Sequence, residues 1–111
     1  MKFNKRDRQE IISCINSVAK GDVSKLLIFT YQGEDYRLSY SFTNFGHIGI
    51  DISKIDYENE EDPLINLFTE HYFVSICDHE TNDELNNEYI SLTEKAFDSL
   101  GIEANGLMLY N

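Results

Sequence analysis

The sequence has no tryptophan, one proline and two cysteines in 111 residues. With so little proline, and only six glycines, there is no Pro-rich or Gly/Ser linker. No internal repeat divides the chain, so a single acidic α+β domain over residues 1–111 is expected. Cys14 and Cys77 each lack a cysteine neighbour at short spacing. Cys14 falls on the apolar side of a helical pattern and Cys77 follows an apolar run, which reads as two buried free thiols rather than a disulfide. No apolar run approaches the roughly 18 residues that read as a membrane span. The start, MKFNKRDRQE, is charged and has no apolar signal-peptide core, so a cytoplasmic location is expected, away from membrane.

Positive charge is also scarce, and unevenly placed. Twenty acidic residues face nine basic ones, for a formal net charge of −11. Six of the nine Lys/Arg fall in residues 1–25; beyond them only Arg37, Lys54 and Lys95 stand against seventeen Asp/Glu. A field of this sign repels nucleic acid and anionic membrane, and it speeds encounter with basic proteins. What is abundant is apolar surface. Hydrophobic residues are 41% of the chain, with seven Tyr and seven Phe, enough for one core without metal or disulfide support. That composition argues against a disordered chain.

The hydrophobic pattern gives the fold class. Ile11, Ile12, Ile15, Val18 and Ala19 form one helical stripe over Lys5–Lys20, with Asn4 as N-cap and Gly21 as stop. Three segments of period two follow: Leu27, Phe29, Tyr31; then Tyr36, Leu38, Tyr40, Phe42; then Ile48, Ile50, Ile52. The turns between them are Gln32–Asp35 and Thr43–Gly46, which makes an antiparallel meander with one buried face. Asp62 and Pro63 read as the cap and first position of a short helix using Leu64, Ile65, Leu67 and Phe68. His71–Ile76 and Tyr89–Leu92 read as a second hairpin around a polar loop, Asp78–Asn87. Thr93 then caps a last helix to Leu100, with Gly101 and Ile102 closing it. The expected architecture is α+β in the order α-β-β-β-α-β-β-α, an antiparallel sheet packed against an N-terminal helix and two short helices. The tail Leu107–Tyr110 reads as a short edge strand or as coil.

Catalytic and metal-binding patterns are missing. His47, His71 and His79 are isolated from one another, and Cys77 with His79 supplies only two ligands, short of a structural zinc site. The run Asp78–Glu84 has no glycine at the sixth position of a calcium loop and places Tyr89 where the bidentate Glu would stand. No nucleophile elbow and no phosphate-cradling glycine loop occurs. A Cys77–His79 dyad has no recognisable orienting group. The expectation is a non-enzymatic protein with no cofactor and no metal.

The run Glu88-Tyr89-Ile90-Ser91-Leu92-Thr93-Glu94-Lys95-Ala96-Phe97-Asp98-Ser99-Leu100 resembles the last wing strand and closing helix of winged-helix domains. Leu64–Glu70 followed by Tyr72-Phe73-Val74 is similar to a recognition helix entering the first wing strand. The resemblance implies a regulator or adaptor. Direct DNA binding does not follow, because no Lys or Arg lies between Lys54 and Lys95 to neutralise phosphates.

Two acidic concentrations remain. Asp51, Asp56, Glu58, Glu60, Glu61 and Asp62 surround the third strand and the loop after it; Asp78, Glu80, Asp83, Glu84 and Glu88 lie around the second hairpin loop. Like charges crowded into one small domain repel, and a cationic partner offsets that cost. Tyr57 and Tyr72 supply aromatic anchors beside them. These residues form the expected partner-binding set. The partner is a basic protein, a toxin or nucleic-acid-processing enzyme. The expected function is that of an immunity protein, an antitoxin-like toxin inhibitor acting on a nuclease-type bacterial toxin. The alternative is a phage-encoded nucleic-acid mimic with an anti-defence role (anti-CRISPR or anti-restriction); the order α-β-β-β-α resembles some small acidic anti-CRISPR proteins.

Overall fold

The computed structural model describes residues 1–42, 47–73 and 83–110. Helix α1 (Lys5–Ala19) starts where the sequence places it. The Asn4 side chain accepts the Asp7 backbone N–H at 2.8 Å, and Ile11, Cys14, Ile15 and Val18 form its buried stripe. Strands β1 (Leu26–Tyr31), β2 (Glu34–Phe42) and β3 (His47–Ile55) are the three alternating segments. Gln32 and Gly33 both have positive φ, +52° and +78°, which gives a two-residue turn that pairs Tyr31 with Glu34. Strand β4 (Leu64–Phe73) follows, then helix α2 (Asp83–Leu100) and the short strand β5 (Met108–Tyr110).

All pairings are antiparallel and the sheet order is β4-β3-β2-β1-β5. The α+β class and the helix-backed antiparallel sheet are therefore as the pattern requires, with the order α-β-β-β-β-α-β. Leu27, Phe29, Tyr36, Leu38, Tyr40, Ile48, Ile50 and Ile52 make the inward face, and all lie in one core cluster with the stripes of both helices. Phe97 of α2 contacts Phe29 edge-on with ring centroids 5.2 Å apart, while Phe42 meets Tyr89 at 6.0 Å. Helix α2 thus runs from the Phe42 end of the sheet towards the Phe29 end. No helix among the described residues is long and apolar enough to cross a membrane.

Two segments depart from the expected elements. Residues 64–70 are not a helix but the first part of β4. The Asp56 N–H donates to the Pro63 carbonyl at 2.6 Å and closes a loop, so Pro63 leads the chain back alongside β3. The register shifts by one residue around Leu67, since Ile52 pairs with Phe68 but Ser53 pairs with Asn66. That bulge puts Ile65 and Phe68 on one face although they are three apart, a spacing that imitates a helix.

Residues 89–92 are likewise not a strand, and Thr93 is not a cap. Both lie inside α2, whose buried Asn86, Tyr89, Ile90, Thr93, Ala96 and Phe97 recur at three and four. The helix stop is as expected: Gly101 has φ +68°, and the Ile102 N–H donates to the Phe97 carbonyl at 3.2 Å. The winged-helix resemblance loses both of its carrying segments. The tail supplies a three-residue edge strand that pairs with β1. The turn 43–46, residues 74–76 of the expected hairpin, Cys77 and His79 lie outside the described residues.

Three buried polar anchors join the layers. Asp7, fully buried, accepts the backbone N–H of Leu107 at 3.0 Å and of Gly106 at 3.2 Å, which ties α1 to the tail. Glu94 accepts the Phe3 N–H at 2.9 Å. The Thr93 hydroxyl donates to the Tyr89 carbonyl at 2.8 Å, so the Tyr40 hydroxyl, 2.7 Å away, must donate to Thr93. Burial pushes the Tyr40 phenol far up, and its bond to Thr93 only partly offsets this.

Thr93→Val strands the Tyr40 hydroxyl in an apolar core, whereas Tyr40→Phe leaves the Thr93 hydroxyl bonded to the Tyr89 carbonyl. Thr93→Val is expected to cost about 1–3 kcal/mol in urea unfolding, Tyr40→Phe less, and the double variant less than their sum. Burial also pushes the Cys14 thiol up to about 12, against a lesser opposing pull from Lys25. Mass spectrometry should find Cys14 unmodified by iodoacetamide at neutral pH in the folded protein and alkylated once urea unfolds it.

Candidate partner-binding site

The two acidic concentrations do not meet. Asp56, Tyr57, Glu58, Glu60, Glu61 and Asp62 follow Ile55 at one end of the sheet. Asp83, Glu84 and Glu88 open α2 at the Phe42 end. The length of β4 between Leu64 and Tyr72, about 27 Å at strand spacing, separates the two levels. Asp78 and Glu80 lie outside the described residues.

The two groups also differ electrostatically. Asp83 and Glu84 occupy the first turn of α2, where the helix dipole favours negative charge. Arg8 donates to Asn87 at 2.9 Å, which joins the basic start of α1 to α2. Asp83 and Glu84 therefore have a structural account. At the other end, the described cation beside the loop is Lys54, and its ammonium is 3.6 Å from Glu34. Among the described residues Glu58, Glu60 and Glu61 have no ion-pair partner. The loop itself is held by short bonds: Asp56 accepts the Glu58 N–H at 3.1 Å, and Asn59 accepts the Asp62 N–H at 3.1 Å.

The two aromatic candidates separate as well. Tyr72 is half-buried opposite Ile48 and packs against the core, where burial and, less strongly, Glu70 raise its phenol pKa. Tyr57 is 71% exposed. Its hydroxyl reaches across the start of β2 and donates to Asp35 Oδ2 at 2.8 Å, while Thr30 donates to Asp35 Oδ1 at 2.6 Å. Those bonds, Thr30 first, hold the Asp35 carboxyl below the usual carboxylate range, and the bond to Asp35 raises the Tyr57 phenol.

Tyr57 stands between two depressions. One, about 390 Å³, is lined by Glu34, Lys54, Ile55, Asp56, Glu58 and Ile65 as well as Tyr57. The other, about 460 Å³, lies on the outward sheet face and brings together Ile28, Thr30, Asp35, Asn105, Met108 and Tyr110 with Tyr57. Asp35, Thr30, Met108 and Tyr110 are absent from the expected set. Their one sequence signal is the outward phase of Thr30 and Asp35 in the alternating strands. The convergence of 28–30, 35, 57 and 105–110 depends on the sheet order.

Asp51, the remaining expected residue, is on the outward face and accepts from Thr69 at 2.8 Å, with Asn66 donating to Thr69 at 2.7 Å. In the adjacent row Ser41 and His71 flank Gly49, where an added Cβ would clash with Ser41 Oγ and stand 3.1 Å from His71 Nε2. Among the described residues no three His, Cys, Asp or Glu side chains are placed to hold a metal ion.

The Tyr57–Asp35 bond is directly testable. Asp35→Asn removes the charge that disfavours the phenolate, so the Tyr57 titration, followed by ring carbon shifts, should move down towards that of an ordinary tyrosine. An unchanged titration would break the assigned contact.

No protein-family model matches this sequence, and neither a curated protein nor a solved structure does so.

Proposed function

We propose that this protein is a non-enzymatic inhibitor of the immunity type, which binds and neutralises a basic protein, a nuclease-type toxin. The observation that carries the reading is the end of the sheet around Asp56–Asp62. Glu58, Glu60 and Glu61 are exposed and have no ion-pair partner among the described residues, and the exposed Tyr57 stands beside them. Uncompensated carboxylates provide long-range steering, and the aromatic and apolar surface beside them sets how long the complex lasts. The cluster at the start of α2 has structural work to do and contributes less.

Co-expression in bacteria with a panel of basic nuclease toxin domains tests this. Growth should be rescued against a cognate toxin, and association with that toxin should slow steeply as salt rises. The triple variant Glu58→Lys, Glu60→Lys, Glu61→Lys should weaken binding by roughly 100-fold or more, on the scale of like-charge juxtaposition at an interface. Reversal of Asp83, Glu84 and Glu88 should have a much smaller effect. Equal losses from the two triple variants would remove this assignment of the surface. Rescue of a nucleic-acid-processing defence enzyme's targets in place of toxin-treated cells would instead favour the nucleic-acid mimic.

A further inference from the structure

The structure assigns the outward depression between β1, β5 and Tyr57 as a socket for one arginine side chain of the basic partner. This rests on the inhibitor reading and gives it a point of attachment outside the acidic loop. Asp35 is the carboxylate of the socket, oriented by Thr30 on one oxygen and by Tyr57 on the other. Each oxygen keeps a lone-pair direction free, since a carboxylate accepts about four bonds in all. No cation stands within ion-pair distance of Asp35 among the described residues, although Arg37 shares its strand and its face.

The walls favour a guanidinium. Tyr57, Met108 and Tyr110 are 71%, 51% and 47% exposed, three of the large apolar side chains left in solvent, and all three line this one depression. Tyr110 is near enough to act on the Tyr57 phenol. A planar, weakly hydrated guanidinium stacks on such rings and meets a carboxylate with two parallel N–H donors; a lysine ammonium is more strongly hydrated and bonds as a point.

NMR titration with Nα-acetyl-arginine N-methylamide reads this without a protein partner. Shifts should centre on the Tyr57 ring and the Met108 methyl, with millimolar affinity. The citrulline counterpart, of the same shape but neutral, should produce none. Asp35→Asn should lower the affinity by roughly tenfold or more, the scale of a lost charge-assisted bond. Thr30→Val, which frees one carboxylate oxygen, should give a smaller loss and serves if Asp35→Asn does not fold. Equal response to arginine and citrulline, or unchanged binding in both variants, would overturn the socket. That outcome leaves the charge-reversal test of the acidic loop standing. Arginine binding together with failure of that test would remove the inhibitor reading and leave a cation site.

Discussion

Everything in this fold depends on covering one face of one sheet. The inward positions of β1, β2 and β3 are isoleucine, leucine, phenylalanine and tyrosine almost without exception, and most are entirely buried. That apolar area supplies the largest favourable term available to a chain of this size. Helices α1 and α2 contribute their stripes to the same core, so the opposite sheet face keeps its alternate set of Thr30, Arg37, Ser39, Ser41 and Asp51. The outward sheet face and the strand ends are therefore left as surface, together with the outer sides of the two helices.

Charge is divided by the same geometry. Asp7 and Glu94 are acidic residues with structural duties, each accepting backbone N–H groups that the tail and the N-terminal segment could not otherwise satisfy. Asp83 and Glu84 sit on a helix start. Among the described residues, the β3–β4 loop is an exposed concentration of carboxylates without such duties, next to Tyr57 and the Asp35 depression. A net charge of −11 describes the chain, whereas the field around it depends on where each carboxylate stands and what it bonds.

Much of the fold was legible because its strands alternate cleanly and its first helix carries both a cap and a stop. The misread segments had physical reasons. At 64–70 a proline after an aspartate looks like a helix start, and the bulge at Leu67 spaces Ile65 and Phe68 as a helix would. At 89–92 the β-favouring Tyr-Ile-Ser-Leu obscured a stripe running from Asn86 through Tyr89, Ile90 and Thr93 to Phe97. Strand propensity is a weak guide once a helical face can be buried. Of the expected binding set, Tyr57, Glu58, Glu60, Glu61 and Asp62 are exposed and Asp56 is half-buried, while Tyr72 turned towards the core and Asp83, Glu84 and Glu88 went to the far end.

Sequence alone determined the α+β class, the acidic excess after residue 25, the capped first helix and the inward rows of the meander. These follow from local periodicity and composition, which need no knowledge of neighbours. Tertiary structure alone decided that β5 joins β1 and that α2 begins at the end of the sheet opposite the acidic loop. It also brought Thr30, Asp35, Tyr57, Met108 and Tyr110 to one depression. Those outcomes depend on strand order and register between segments far apart in the chain, such as Leu26 and Tyr110, where no spacing along the chain carries the information.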